Sequence, residues 1–297
     1  MLRPSWQLSA TLAGLLIAFA LVAGRFRDPR WATARAFATE FAMVLALLGM
    51  WQYVGRFVRS RAGGAVERAH SIAAMQHLLH FPNEVTLQRL VLPHHGLVRA
   101  SNAYYAFAHL NGMAIFLVWM WWRHRDRYST ARTTVVLTTL ACLVVQVVPV
   151  APPRLLTSLG FVDTALEYGQ SVYGTYVDGL ANQLSAMPSV HVAWAVIIGW
   201  YAARVGRSQW RWLGAAHAVL TILAVVVTAN HWWLDGVVAA LIAAMAAGTQ
   251  AVAAAAVDAW RRRGATDVAP APDLLPDLLP DLLPDLRYDQ PAQPRAE

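Results

Sequence analysis

Seven runs of mostly apolar residues, each near the length a helix needs to cross a bilayer, set the limits on what this chain can fold into. They cover residues 7–24, 36–58, 103–122, 131–150, 189–205, 209–229 and 231–253, the fifth being the shortest. A spanning helix bonds all its backbone groups internally, so apolar runs of about 20 residues read as helices rather than as loops or open sheet. Composition agrees: 57% of the 297 residues are hydrophobic and 14% charged, where a soluble domain carries roughly half and a quarter. The expected architecture is all-α, a polytopic membrane helix bundle of about seven spans. Arg3 precedes the first run and the Arg-rich stretch GRFRDPR follows it in place of a small-residue cleavage site, so this run reads as a retained helix.

All 24 basic residues are Arg, and the net charge is +7. They sit in short clusters between the apolar runs, a pattern of membrane topology signals and anionic-lipid contacts, which argues against a nucleic-acid partner. If the spans alternate, fourteen arginines fall on one side (25–35, 123–132, 204–211 and 261–263) and eight on the other (Arg3, 56–99 and Arg154). The positive-inside rule makes the first side cytoplasmic and the second extracytoplasmic, as in a bacterial inner membrane. The single cysteine, Cys142, lies inside an apolar run, forms no intrachain disulfide and reads as packing.

Three stretches depart from the spanning pattern. Residues 64–92 mix His, Glu and Arg into apolar sequence and are broken by Pro82, which predicts two short amphipathic helices on the outer surface. Residues 155–184, with scattered Gly and Tyr, form a second excursion. In the tail, PDLLPDLLPDLLPDL (272–286) places Pro at every fourth position, which forbids a regular helix and predicts a disordered cytoplasmic extension.

Chemistry concentrates in three short motifs that the alternating spans put on one membrane face: APPRLL (151–156), SAMPSVH (185–191) and NHWWLD (230–235). In the third, His231 and Asp235 are four apart at a helix start. A carboxylate bonded to one ring nitrogen fixes the tautomer and leaves the other nitrogen as a nucleophile. In the second, Pro188 and Ser189 are a helix-start signal, and unpaired N–H groups at a helix start bind phosphate oxygens. His191 falls in that first turn, placed to give a proton to a leaving alkoxide. In the first, Arg154 follows the rigid Pro152–Pro153 pair, and a guanidinium grips two phosphate oxygens at once. Each motif alone also fits an interfacial residue or a plain helix cap. Together they supply an anion clamp, a proton donor, a nucleophile and its orienting carboxylate, with no cofactor or metal required by the set.

These motifs resemble those of the type 2 phosphatidic acid phosphatase superfamily, in which an Arg-Pro-containing motif is followed by Pro-Ser-x-His and His-x-x-x-Asp. Pro188-Ser189-Val190-His191 and His231-Trp232-Trp233-Leu234-Asp235 match the last two in order and form. The resemblance implies His231 as nucleophile, Asp235 as its partner, His191 as general acid, Arg154 and Ser189 at the phosphate, and a six-helix catalytic core. The expected division is an extra N-terminal transmembrane helix and cytoplasmic loop over 1–35, a catalytic membrane domain over 36–255 and the tail over 256–297.

Two cations usual in that family are absent: Val147 stands seven residues before Arg154, and Ala224-Val225 stand where Ser-Arg usually precede the nucleophilic histidine. The forms APPR, SAMPSVHVAW and NHWWLD are similar to the inositol phosphorylceramide synthase-like branch, as is SNAYYAFAHLN (101–111). That likeness makes Asn102, Tyr104, Tyr105, His109 and Asn230 candidates for a head-group or acceptor site; an aromatic belt at the membrane interface is the plainer explanation of the tyrosines. Fewer cations suit a phosphodiester, which carries about one negative charge where a monoester carries nearer two. The expected activity is a lipid phosphotransferase of inositolphosphotransferase type, working from a phospholipid donor to a lipid or polyol hydroxyl through a phosphohistidine. Hydrolysis, with water as acceptor, would make it a lipid phosphate phosphatase. A non-catalytic lipid transporter or lipid-binding protein is the alternative of another class, against which the motifs gather at helix ends and no inverted repeat is evident.

Overall fold

The computed structural model describes residues 5–59, 62–171 and 183–266. The chain divides into two compact units, 1–250 and 251–297. All three motifs lie in the first. In chain order they are α1 (Trp6–Ala23), α2 (Pro29–Arg59), α3 (Ala65–Leu78), α4 (Glu84–Val91), α5 (His95–Arg123), α6 (Arg125–Val145), the single turn α7 (Thr164–Glu167), α8 (Val190–Val205), α9 (Trp212–Val227) and α10 (Trp233–Thr266). Six of these helices are long and apolar enough to cross a membrane, and α8 is a shorter apolar helix. Sixteen residues rise about 24 Å, against a hydrocarbon core of about 30 Å. The all-α polytopic bundle expected from the sequence is the architecture found.

Large apolar side chains point outward along these helices: Leu21, Phe41, Phe107, Ile115, Val118, Val144, Leu241 and Met245 are all more than half exposed. Such a surface asks for lipid. Inside the bundle, small and hydroxyl residues let helices approach and bond, as expected where lipid removes the hydrophobic drive for association. Thr134 Oγ1 meets Tyr201 Oη at 2.9 Å and the Trp194 indole donates to Thr139 Oγ1 at 3.0 Å. Where α8 crosses α9, a Cβ on Gly214 would lie 2.7 Å from that of Ala202, so only glycine permits this crossing.

The two short helices expected over 64–92 form as α3 and α4, separated by a turn through Pro82. Their polar residues are not all turned to solvent, however: Gln76, Glu84 and Gln88 are buried. Gln88 ties the excursion after α6 to the end of α9, donating to Val162 O at 2.9 Å and Val227 O at 3.3 Å and accepting from Val162 N at 3.0 Å. Helix α10 continues to Thr266, so residues 256–266, expected in the tail, are helical; the Ala-rich run before Arg261 favours this. The Pro-Asp-Leu-Leu repeat and residues 172–182 of the second excursion lie outside the described residues.

Candidate functional site

Below α2 and α3, an apolar cluster gathers Val58, Ala65, Ala69, Val150, Ala151, Leu156, Phe161, Leu184, Ala186, Ala229 and Trp232, and all three motifs are packed into it. Main-chain bonds lock the motifs together. Arg154 N donates to Ala229 O at 2.8 Å, Ala186 N to Val150 O at 3.2 Å and Ser189 N to Asp235 O at 3.2 Å. The Trp232 indole donates to Ala151 O at 3.1 Å and sets its ring edge-on against Phe161. Ala229 holds a left-handed φ of 52° to turn the chain after α9, at a cost of roughly 1–2 kcal/mol for a residue with a Cβ.

His231 lies in this turn, two residues ahead of α10 rather than on it. Its Nδ1 is 2.8 Å from Ala186 O and 3.4 Å from Asp235 Oδ2. A carbonyl can only accept, so Nδ1 carries the proton and Nε2 carries the lone pair. The sequence reading gave the carboxylate that task; the closer partner is the Ala186 carbonyl. His231 Nε2 and Asp235 Oδ1 are buried and have no hydrogen-bond partner among the described residues. Asp235 is completely buried and accepts from Trp232 N at 2.8 Å, so it caps α10 while standing beside the imidazole.

Ser189 caps α8, accepting from Val192 N at 3.3 Å, and is itself fully buried. The first i→i−4 bond of this helix runs from Ala193 N to Ser189 O, which leaves the N–H groups of Val190 and His191 ahead of it as first-turn donors. The His191 ring lies 5.4 Å from that of His231, centroid to centroid. Tyr105 stacks on His191 at 4.5 Å and His109 lies 4.1 Å from it. Tyr105 and His109, four apart on α5, thus share the face that meets the catalytic candidates. These rings, with Tyr104, Thr221, Ala224 and Val225, line a narrow crevice between α5, α8 and α9.

The other candidates are placed differently. Tyr104 turns its hydroxyl to α9, 2.7 Å from His217 Nδ1 and 3.3 Å from Thr221 Oγ1. Asn102 accepts from Thr164 Oγ1 at 2.9 Å and donates to Gln170 Oε1 at 3.3 Å, beside a cavity of about 320 Å³ between α5 and the loop at 169–171. Asn230 is committed to holding Arg154, whose Nε donates to its Oδ1 at 3.0 Å while its amide donates to Thr228 Oγ1 at 2.9 Å.

Arg154 is 4% exposed. Its Nη1 donates to Asp163 Oδ2 at 2.8 Å, and Nη1 and Nη2 both donate to Gln183 Oε1 at 3.1 Å. Neither Asp163 nor Gln183 was marked by any sequence motif.

Nor were Gln76 and Glu84, which complete the start of α10. Glu84 Oε1 accepts from Trp233 N at 3.3 Å and from Gln76 Nε2 at 2.6 Å, and Gln76 Oε1 accepts from Leu234 N at 2.9 Å. Burial raises the Glu84 carboxyl above its ordinary value, against the opposing pull of these bonds. The signal for them is indirect: a buried helix start leaves N–H groups that must find acceptors somewhere in the chain.

A basin of polar groups with an imidazole nitrogen unpaired among the described residues, a second histidine and a buried arginine, all at helix ends of a membrane bundle, fits a class: membrane enzymes of phosphate-ester chemistry. A model of the PAP2 superfamily matches residues 70–249, more than half of the chain and all three motifs, and the chain belongs to that superfamily. Neither a curated protein nor a solved structure matches it. Membership makes its general activity that of a lipid phosphatase or phosphotransferase on lipid phosphate substrates.

Proposed function

We propose that this enzyme is a phosphotransferase of the inositol phosphorylceramide synthase-like kind, moving a phosphorylated head group from a phospholipid to a lipid or polyol hydroxyl through a phosphohistidine. The observation that carries the reading is His231 Nε2, buried without a partner among the described residues while Nδ1–H is fixed on Ala186 O. That is the state an imidazole must hold to attack phosphorus.

In the first step Nε2 forms a bond to phosphorus, and the bond from phosphorus to the diacylglycerol oxygen breaks. His191 gives its proton to that oxygen. Asp235 faces the ring that becomes cationic. In the second step the acceptor hydroxyl returns a proton to His191 and its oxygen displaces Nε2 from phosphorus. Arg154 and the first-turn amides of α8 meet the charge on the non-bridging oxygens. The missing partner cations at Val147 and Val225 favour a singly charged phosphodiester donor.

The test uses phosphatidylinositol labelled in its phosphate, with and without a lipid acceptor. Wild-type protein should trap acid-labile, base-stable label that chases onto the acceptor, and His231→Ala should trap none. Chase into water alone, releasing inositol phosphate, would make the enzyme a hydrolase rather than a transferase. Unchanged turnover in His231→Ala would remove His231 as the nucleophile.

A further inference from the structure

The Arg154 guanidinium is already matched by a carboxylate before any substrate arrives. Asp163 is held from both sides: Oδ2 takes the bond from Arg154, and Oδ1 takes the N-cap bond from Leu166 N at 3.1 Å. The pair is deep, with side chains 3% and 19% exposed, so solvent screens it weakly. Gln183 differs in kind. One neutral oxygen sits between Nη1 and Nη2, where the two oxygens of a bidentate phosphate would go. A substrate phosphate can take that place at the cost of neutral hydrogen bonds, whereas replacing Asp163 would also undo the α7 cap.

We propose that Asp163 is a specificity-determining residue: paired to Arg154, it keeps the anion site near neutral and so admits singly charged phosphodiester head groups while rejecting doubly charged phosphomonoesters. The inference rests on the phosphohistidine reading above and names the substrate class of that site. A monoester brings close to one more negative charge than a diester. Within a few ångströms of a fixed carboxylate in a weakly screened site, that added charge is worth a large factor in binding. Arg154 alone would favour the dianion; the pair removes that preference, and Asp235 behind His231 adds a second carboxylate to the same basin.

The experiment compares kcat/KM for phosphatidylinositol and phosphatidic acid in wild type, in Asp163→Asn, and in Gln183→Lys, which adds a cation on the other side of the same guanidinium. Asn is an equally good N-cap, so Asp163→Asn removes the charge and keeps the α7 bond. Wild type should prefer the phosphodiester. The ratio of monoester to diester should rise about tenfold or more in Asp163→Asn, and Gln183→Lys should move it the same way. A wild type that turns over the diester with an unchanged ratio in whichever of these variants fold would overturn the filter and leave the phosphohistidine reading standing. So would a wild-type preference for phosphatidic acid. Turnover of neither lipid, or full turnover in His231→Ala, would take down both.

Discussion

His231 takes its tautomer from a main-chain carbonyl and its electrostatic surroundings from a side chain, and substitution can separate the two. Where a carboxylate alone fixes the imidazole, its amide variant presents the wrong tautomer and loses about 10⁴ in rate. Here Ala186 O holds Nδ1–H at 2.8 Å, closer than Asp235 Oδ2 at 3.4 Å. Asp235→Asn should therefore keep the nucleophile in its attacking form and lose only the charge opposite the phosphorylated ring. The expected fall in kcat is about 10- to 100-fold, the scale of one charged hydrogen bond, with trapped phosphohistidine still detectable. A fall of 10⁴ with no trapped label would show that Asp235, and not the carbonyl, sets the tautomer. The residue scale is also where the sequence was most legible. A histidine and an aspartate four apart announce themselves, and so does Pro-Ser-x-His. A backbone carbonyl from residue 186 does not, because any residue type would supply it.

At the scale of elements, the start of α10 shows why part of the site was hidden. A helix that begins in the interior leaves N–H groups that water cannot reach. Asp235 serves Trp232 from within the motif, but Trp233 and Leu234 are served by Glu84 and Gln76, about 150 residues away in sequence. Polar residues mixed into apolar sequence, with the break at Pro82, marked α3 and α4 as short helices. That pattern could not say that their polar faces close over another helix end, because it equally suits a helix lying in the interface. Glu84→Ala, which strands the Trp233 amide and the Gln76 side chain, should cost about 1–3 kcal/mol, measured by unfolding in detergent, whereas Glu84→Gln keeps an acceptor in place. The pH dependence has a definite sign. Burial raises the Glu84 carboxyl, so the folded protein holds a proton that the unfolded chain releases more readily. This contribution to stability is complete below the ordinary glutamate value and is lost as pH rises through the higher folded value. The unfolding temperature of wild type should drop across that window, and that of Glu84→Gln should drop less. Equal drops in the two proteins would assign the effect to another group.

At the scale of the whole molecule, the bundle's two ends are chemically distinct, and that difference bears on which side of the membrane the chemistry faces. One end carries the three motifs. The other carries the last turns of α5 and α8 and the first turns of α6 and α9, where Arg125 lies over Trp121 at 4.2 Å, Arg204 over Trp200 at 4.4 Å and Arg211 over Trp212 at 5.0 Å. Tryptophan bodies with arginine heads are interface anchors. Glu40 of α2 joins this end through Tyr128 and Arg132 of α6, tying α2 to the helices of the family core although the family match begins at residue 70. From the arginine bias, fourteen against eight, we propose that the anchored end is cytoplasmic and the motifs face outward. Cysteine labelling can decide this, because Cys142 is fully buried and so should stay silent. Ser158, exposed in the turn after Arg154, and Ser208, exposed between α8 and α9, sit at opposite ends. In intact cells a membrane-impermeant maleimide should modify Ser158→Cys and spare Ser208→Cys until the membrane is opened. The reverse result would place the phosphate chemistry in the cytoplasm and would make the donor a lipid of the inner leaflet.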